Sequence, residues 1–113
     1  LMAKVLFIDD EPFILDAYAR MLKSSAFECF TLSDSTQVFQ HPELLNLDII
    51  VVDHLMPQVT GVEILIALEK KFPTIKKVLI SGDTHKLKNA PCDKLLQKPV
   101  KKIYLLDCLS SLI

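Results

Sequence analysis

The sequence predicts an α/β domain built on a doubly wound, five-stranded parallel sheet. Three observations carry that prediction. Short apolar runs rich in Val and Ile (Ala3–Ile8, Asp48–Val52 and Val78–Ile80) are bounded by turn residues, as strands buried on both faces are. Segments of helical periodicity lie between them, and strands alternating with helices form parallel βαβ units with right-handed crossovers. The runs also end in reactive groups: Asp9-Asp10-Glu11 after the first, Asp53 after the third, Ser81 after the fourth and Lys98-Pro99 after the last.

The elements follow in order. Ala3–Ile8 is the first strand. Pro12 to Ser24 reads as a helix, with Pro12 suited to its first turn and Phe13, Ala17, Tyr18, Met21 and Leu22 at helical spacing. Phe27 to Leu32 is the second strand, closed by Ser33-Asp34-Ser35. A short, weakly marked helix around Thr36 to Gln40 is interrupted by His41-Pro42. The third strand ends at Asp53. The turn Pro57 to Gly61 then opens an amphipathic helix through Val62, Ile64, Leu65, Ala67 and Leu68 that stops before Pro73.

Val78–Ile80 is the core of the fourth strand, and the fifth occupies roughly Lys94 to Gln97. Ser81 and Lys98 are only 17 positions apart. Pro91 breaks any helix running towards the last strand, so the fourth helix is confined to Thr84–Asn89 and is expected to be short or missing. Lys101 to Ile113 is the last helix, with Ile103, Leu106, Leu109 and Ile113 read as its apolar stripe. The doubly wound arrangement that fits this length is flavodoxin-like, with strand order 2-1-3-4-5. That order sets strands one and three side by side.

Open α/β sheets bind ligands at the carboxyl ends of their strands. Asp9, Asp10 and Asp53 therefore meet in one crevice. Three carboxylates so close repel unless a cation lies among them, and oxygen ligands alone suit Mg²⁺ or another hard divalent ion. A hydroxyl at Ser81 and an amine at Lys98 complete a site for phosphoryl chemistry. Each residue also has a structural reading: Asp9 or Asp10 can cap the helix starting near Pro12, Ser81 can be a turn residue and Lys98 a solvated amine. His41, His54 and His85 are scattered and read as non-ligands, although His54 directly follows Asp53.

In this order and spacing, these strand-end residues resemble the receiver domain of two-component response regulators, over essentially the whole chain. Met56-Pro57, Gly61 and Glu11-Pro12 fall at the family's positions as well. The resemblance implies that Asp53 is the phosphoacceptor, with Ser81 and Lys98 as the catalytic groups beside it. Asp10 would bind Mg²⁺ directly, Asp9 through water, and the backbone carbonyl of Leu55 would supply a further oxygen. It also implies a cis Lys98-Pro99 peptide, a histidine kinase or phosphotransfer protein as donor, and an output domain or protein that the sequence does not identify. The family often has Tyr or Phe where Leu95 stands. Gly82 after Ser81 fits the family's small residue, and Asp83 and Leu55 flank the approach of a hydrolytic water.

Two other readings compete. A Mg²⁺-dependent phosphatase with an aspartate nucleophile would carry Asp-x-Asp after the first strand, whereas here the acids are adjacent, and 113 residues leave no room for a cap domain. A pseudo-receiver acting only as an interaction module usually lacks an acid, the acceptor or the lysine, and none is lost here. The expectation is a switch module that turns over no metabolite.

Composition bounds the rest. With 13 basic and 14 acidic residues the net charge is −1, so no global field favours nucleic acid or an anionic membrane, and the apolar runs are too short to span a bilayer. Cys29, Cys92 and Cys108 form no Cys-x-x-Cys pair and read as reduced thiols, consistent with a cytoplasmic setting. Residues 2–113 form one receiver domain, and the apolar end at Leu112-Ile113 suggests that it belongs to a longer protein.

Overall fold

The computed structural model describes residues 2–113. Five parallel strands form one sheet: β1 (Ala3–Ile8), β2 (Phe27–Leu32), β3 (Ile49–Asp53), β4 (Lys76–Ser81) and β5 (Lys94–Gln97). Their order is β2-β1-β3-β4-β5, as expected. Three α-helices accompany them: α1 (Pro12–Leu22), α2 (Gly61–Lys71) and α3 (Lys102–Ser110).

Side-chain alternation along the strands builds two cores, one on each face of the sheet. Val5, Phe7, Ile49, Val51, Val78 and Ile80 point to the face covered by α1 and α3. Leu6, Ile8, Ile50, Val52 and Leu79 point to the opposite face, covered by α2 and by 3₁₀ turns at Ser35–Gln40 and Leu44–Asn46. A period of two with apolar residues at every position describes a strand that is buried on both sides. Phe7 stacks on Tyr18 of α1 with ring centroids 4.8 Å apart, which seats that helix on β1.

Helix α2 starts with a capping box. The Thr60 hydroxyl accepts the Glu63 N–H at 3.2 Å, and Glu63 Oε1 accepts the Thr60 N–H at 3.2 Å. Two otherwise orphaned backbone donors are satisfied, so the helix begins at a fixed point just beyond the end of β3.

Two helix faces differ from the sequence expectation. In α1 the buried residues are Leu15, Tyr18 and Leu22, while Phe13 is 72% exposed. The helix ends at Leu22 rather than Ser24, which adopts a left-handed φ of 64°. In α3 the buried residues are Leu105, Cys108 and Leu109, and both Ile103 and Ile113 lie outside the core. Each helix is apolar around much of its circumference, so spacing leaves the rotational phase open and docking onto the sheet decides it.

The weakly marked helix after β2 is a 3₁₀ segment capped by Asp34, whose carboxylate accepts the Thr36 N–H at 3.0 Å. Between β4 and β5 there is no α-helix, only a single 3₁₀ turn at His85–Leu87. The short fourth helix is therefore confirmed as missing. Leu87 anchors this stretch and is only partly buried against the core.

Candidate functional site

The carboxyl ends of β1 and β3 lie side by side because the two strands pair directly, with Ile8 opposite Val52. Asp9 and Asp10 follow β1 and Asp53 ends β3, so one carboxylate oxygen from each lies within 4.8 Å of the others. Among the described residues this is the only group of three acids, histidines or cysteines so arranged. Asp9 and Asp53 are buried and Asp10 is exposed.

Asp9 does not cap α1 in the usual way. Glu11 is the N-cap residue, its side chain makes no cap bond, and Asp9 Oδ1 accepts the Glu11 N–H at 2.9 Å. The other oxygen, Oδ2, is buried with no hydrogen-bond partner. Burial raises the pKa of this carboxyl, and the negative charges of Asp53 and Asp10 add to the rise, against the Glu11 hydrogen bond and the Lys98 charge. A buried oxygen without a donor, on a residue whose carboxylate lies within 4.8 Å of two others, fits a hard divalent cation.

Lys98 follows β5 and reaches across the end of β4 to Asp53, with Nζ 2.7 Å from Oδ1. Burial pulls the ammonium's pKa down. The hydrogen bond to Asp53, with the charges of Asp53, Asp9 and Glu11, outweighs it, and the pKa is raised. The amine is thus a fixed cation at the Asp53 carboxylate. The peptide between Lys98 and Pro99 is cis, as the resemblance implies.

Ser81 ends β4 one residue beyond Ile80, the partner of Asp53. It is buried, and its hydroxyl turns into its own loop: it donates to the Asp83 carbonyl at 3.3 Å and accepts the Asp83 N–H at 3.1 Å. Leu55 lies two residues past Asp53, with its side chain 72% exposed. The structure thus brings Asp9, Asp10, Asp53 and Lys98 together, and holds Ser81 on the adjoining strand end.

Neighbouring hydrogen bonds brace the site. The His54 N–H donates to the Ile80 carbonyl at 2.9 Å, and the His54 carbonyl accepts the Gly61 N–H at 2.9 Å. The loop after Asp53 is thereby tied to both β4 and α2. Gln97 and Thr84 also meet beside the site, with the Thr84 hydroxyl donating to Gln97 Oε1 at 2.8 Å. No spacing or composition signal marks that pair, because the bond joins a half-buried and an exposed polar residue from separate elements.

Comparison with known proteins agrees with this geometry. The family model described as "Response regulator receiver domain" matches residues 5–110. HoxA of Cupriavidus necator, a hydrogenase transcriptional regulatory protein, is 34% identical over 82 residues, covering 73% of this chain and 17% of that protein. A putative two-component response regulator of Arabidopsis thaliana, ARR21, is 26% identical over 88 residues, covering 76% of this chain and 14% of its own. The chain therefore corresponds to a small part of these relatives. Among solved structures, a response regulator receiver domain protein from Clostridium thermocellum has a TM-score of 0.86 at 30% identity, covering 99% of this chain and 94% of its own. The response regulator TrrA of Thermotoga maritima, in complex with Mg²⁺-BeF, shares the fold with a TM-score of 0.89 at 23% identity, covering 99% of this chain and all of its own. This chain belongs to the response regulator receiver domain family.

Proposed function

We propose that the domain is the phosphoacceptor switch of a two-component phosphorelay, with Asp53 as the residue that takes the phosphoryl group. The observation that carries this reading is the contact between Lys98 Nζ and Asp53 Oδ1 at 2.7 Å, beside two further carboxylates. An acceptor carboxylate must meet an anionic donor, and positioning and charge neutralisation are most of what phosphoryl transfer needs from a protein.

Asp53 attacks phosphorus in line through one carboxylate oxygen, the donor's leaving group departs with its bonding electrons, and an acyl phosphate results. Lys98 moves from pairing the free carboxylate to pairing a phosphoryl oxygen. Ser81 donates its hydroxyl to another. Asp10, with Asp53 and the backbone carbonyl of Leu55, would hold Mg²⁺ directly, and Asp9 would hold it through water. When bound, the ion neutralises charge shared between the acceptor and the phosphoryl oxygens. The phosphoryl charge then biases the loops at the strand ends.

The donor would be a histidine kinase or a phosphotransfer protein, and a separate output domain or protein would read the change. One matched relative, CqsS of Vibrio cholerae, is named a sensor kinase/phosphatase and is 28% identical over 88 residues. We place the domain in the cytoplasm together with its proposed kinase or phosphotransfer donor; separately, no helix of the described residues is long and apolar enough to cross a membrane.

Incubation with a small phosphodonor and Mg²⁺ tests the reading against the phosphatase alternative. A receiver takes up at most one phosphoryl group per chain and releases phosphate slowly from that adduct. Sustained multiple turnover of a phosphate ester without an adduct would identify a phosphatase instead.

A further inference from the structure

The loop between β4 and β5 lacks the α-helix that could pack it against the sheet. Gly82 and Asp83 are exposed, and a Cβ built at Gly82 would meet nothing within 4 Å. The single 3₁₀ turn that follows is anchored by Leu87, which is only partly buried. Polar bonds must therefore hold residues 82–84 in place. Most of them are internal: Ser81 with Asp83, His85 N–H to Asp83 Oδ1 at 3.2 Å, and Leu87 N–H to the Thr84 carbonyl at 3.0 Å.

One residue ties these three positions to another strand. The Gln97 side-chain amide accepts from the Thr84 hydroxyl at 2.8 Å and donates from Nε2 to the Gly82 carbonyl at 3.3 Å. Among the described residues, no other hydrogen bond from positions 82–84 leaves the loop for β5. Gln97 directly precedes Lys98, and the Lys98 N–H donates to the Ser81 carbonyl at 2.9 Å. The amide thus grips the loop on both sides of Asp83, the residue that now occupies the Ser81 hydroxyl.

We infer that Gln97 is a positioning residue: its amide latches the loop after Ser81 in the arrangement that engages the Ser81 hydroxyl with the Asp83 backbone, and so opposes closure on a phosphoryl group. This rests on the phosphoacceptor reading above. For Ser81 to reach a phosphoryl oxygen it must leave Asp83, and the loop must shift with it. Gly82 and Thr84 flank that shift, so it breaks or lengthens both bonds to Gln97. Leu95 and Leu96, the neighbouring β5 side chains, carry no polar group that could do the same. The latch also carries the change outward, because releasing it frees an amide on the edge strand of the sheet.

Calorimetric titration with beryllofluoride, a stand-in for the phosphoryl group, in the presence of Mg²⁺ tests the inference. Gln97 is exposed, so Gln97→Ala leaves the core untouched. Losing two solvent-exposed hydrogen bonds made only before closure should tighten beryllofluoride binding about fivefold, with affinity for Mg²⁺ alone unchanged. Thr84→Val should act in the same direction, Thr84→Ser should restore wild-type binding, and the double variant Gln97→Ala/Thr84→Val should add little to either single change. Unchanged or weaker beryllofluoride binding by Gln97→Ala and Thr84→Val, with normal binding by the wild type, overturns the latch alone. A wild-type domain that binds no beryllofluoride with Mg²⁺ overturns the phosphoacceptor reading and the latch with it.

Discussion

A methyl group on Gly61 would lie 2.7 Å from the Asp53 carbonyl oxygen, 2.8 Å from Cδ1 of Leu79 and 2.9 Å from Cα of His54. Gly61 therefore sets how closely α2 approaches the end of β3, and two of the three atoms in the way are backbone. Gly61→Ala should destabilise the domain by about 1–3 kcal/mol and displace the Asp53 backbone. Chemical denaturation measures the first effect and Mg²⁺ affinity the second. A variant with wild-type values for both would show that the close approach has no role.

The raised pKa of Asp9 makes a pH prediction. A carboxyl whose folded pKa lies above its unfolded one favours the folded state while protonated. That advantage disappears as pH rises from the ordinary carboxylate range through the raised value. Without divalent ions, Asp9→Asn should thus raise the melting temperature near pH 7 and change it little near pH 3. Mg²⁺ should stabilise the wild type near pH 7 and the variant much less. Equal stabilisation of both proteins by Mg²⁺ would remove Asp9 from the cation site.

Lys77 has a side chain only 3% exposed, bound to Glu69 Oε2 at 2.9 Å and to the Ile75 carbonyl at 2.7 Å, whereas Glu69 is 58% exposed. Removing the acid strands a buried cation; removing the cation leaves a solvated acid. Glu69→Ala should then cost about 1–3 kcal/mol, and Lys77→Met should stay within about 1 kcal/mol of wild type. Denaturant midpoints check the order, which a reversed result would contradict.

Burial holds the Cys29 thiol at a pKa of about 11, and burial also raises those of Cys92 and Cys108. Because the thiolate is the nucleophile, iodoacetamide should modify Cys29 slowly at about pH 8 and about tenfold faster per pH unit above it. Rapid alkylation of the folded domain at about pH 8 would show that this thiol is not shielded as the structure has it.

The sheet and its reactive ends were legible because both depend on short-range pattern. A strand such as Ile49–Asp53, apolar at every position, has one place to go in a doubly wound sheet, and its final carboxylate then has one crevice to enter. The loss of the fourth helix was legible too, since Pro91 and the short interval to Lys98 leave no room for it. Helix faces were less so. Phe13 and Leu15 are both apolar, as are Ile103 and Leu105, and only docking onto β1, β3 and β4 selects Leu15 and Leu105 for the core. The turning of Ser81 towards Asp83, and the grip of Gln97 on that loop, depend on side-chain rotamers and contacts between distant residues, which periodicity does not encode.

Peptide mapping by mass spectrometry, after treatment with a small phosphodonor and Mg²⁺, locates the phosphoryl group that Asp53 is proposed to carry. A single Mg²⁺-dependent adduct is expected on the peptide containing Asp53, absent from Asp53→Asn and Asp53→Ala. An adduct at another residue, or one that persists in either variant, would contradict it.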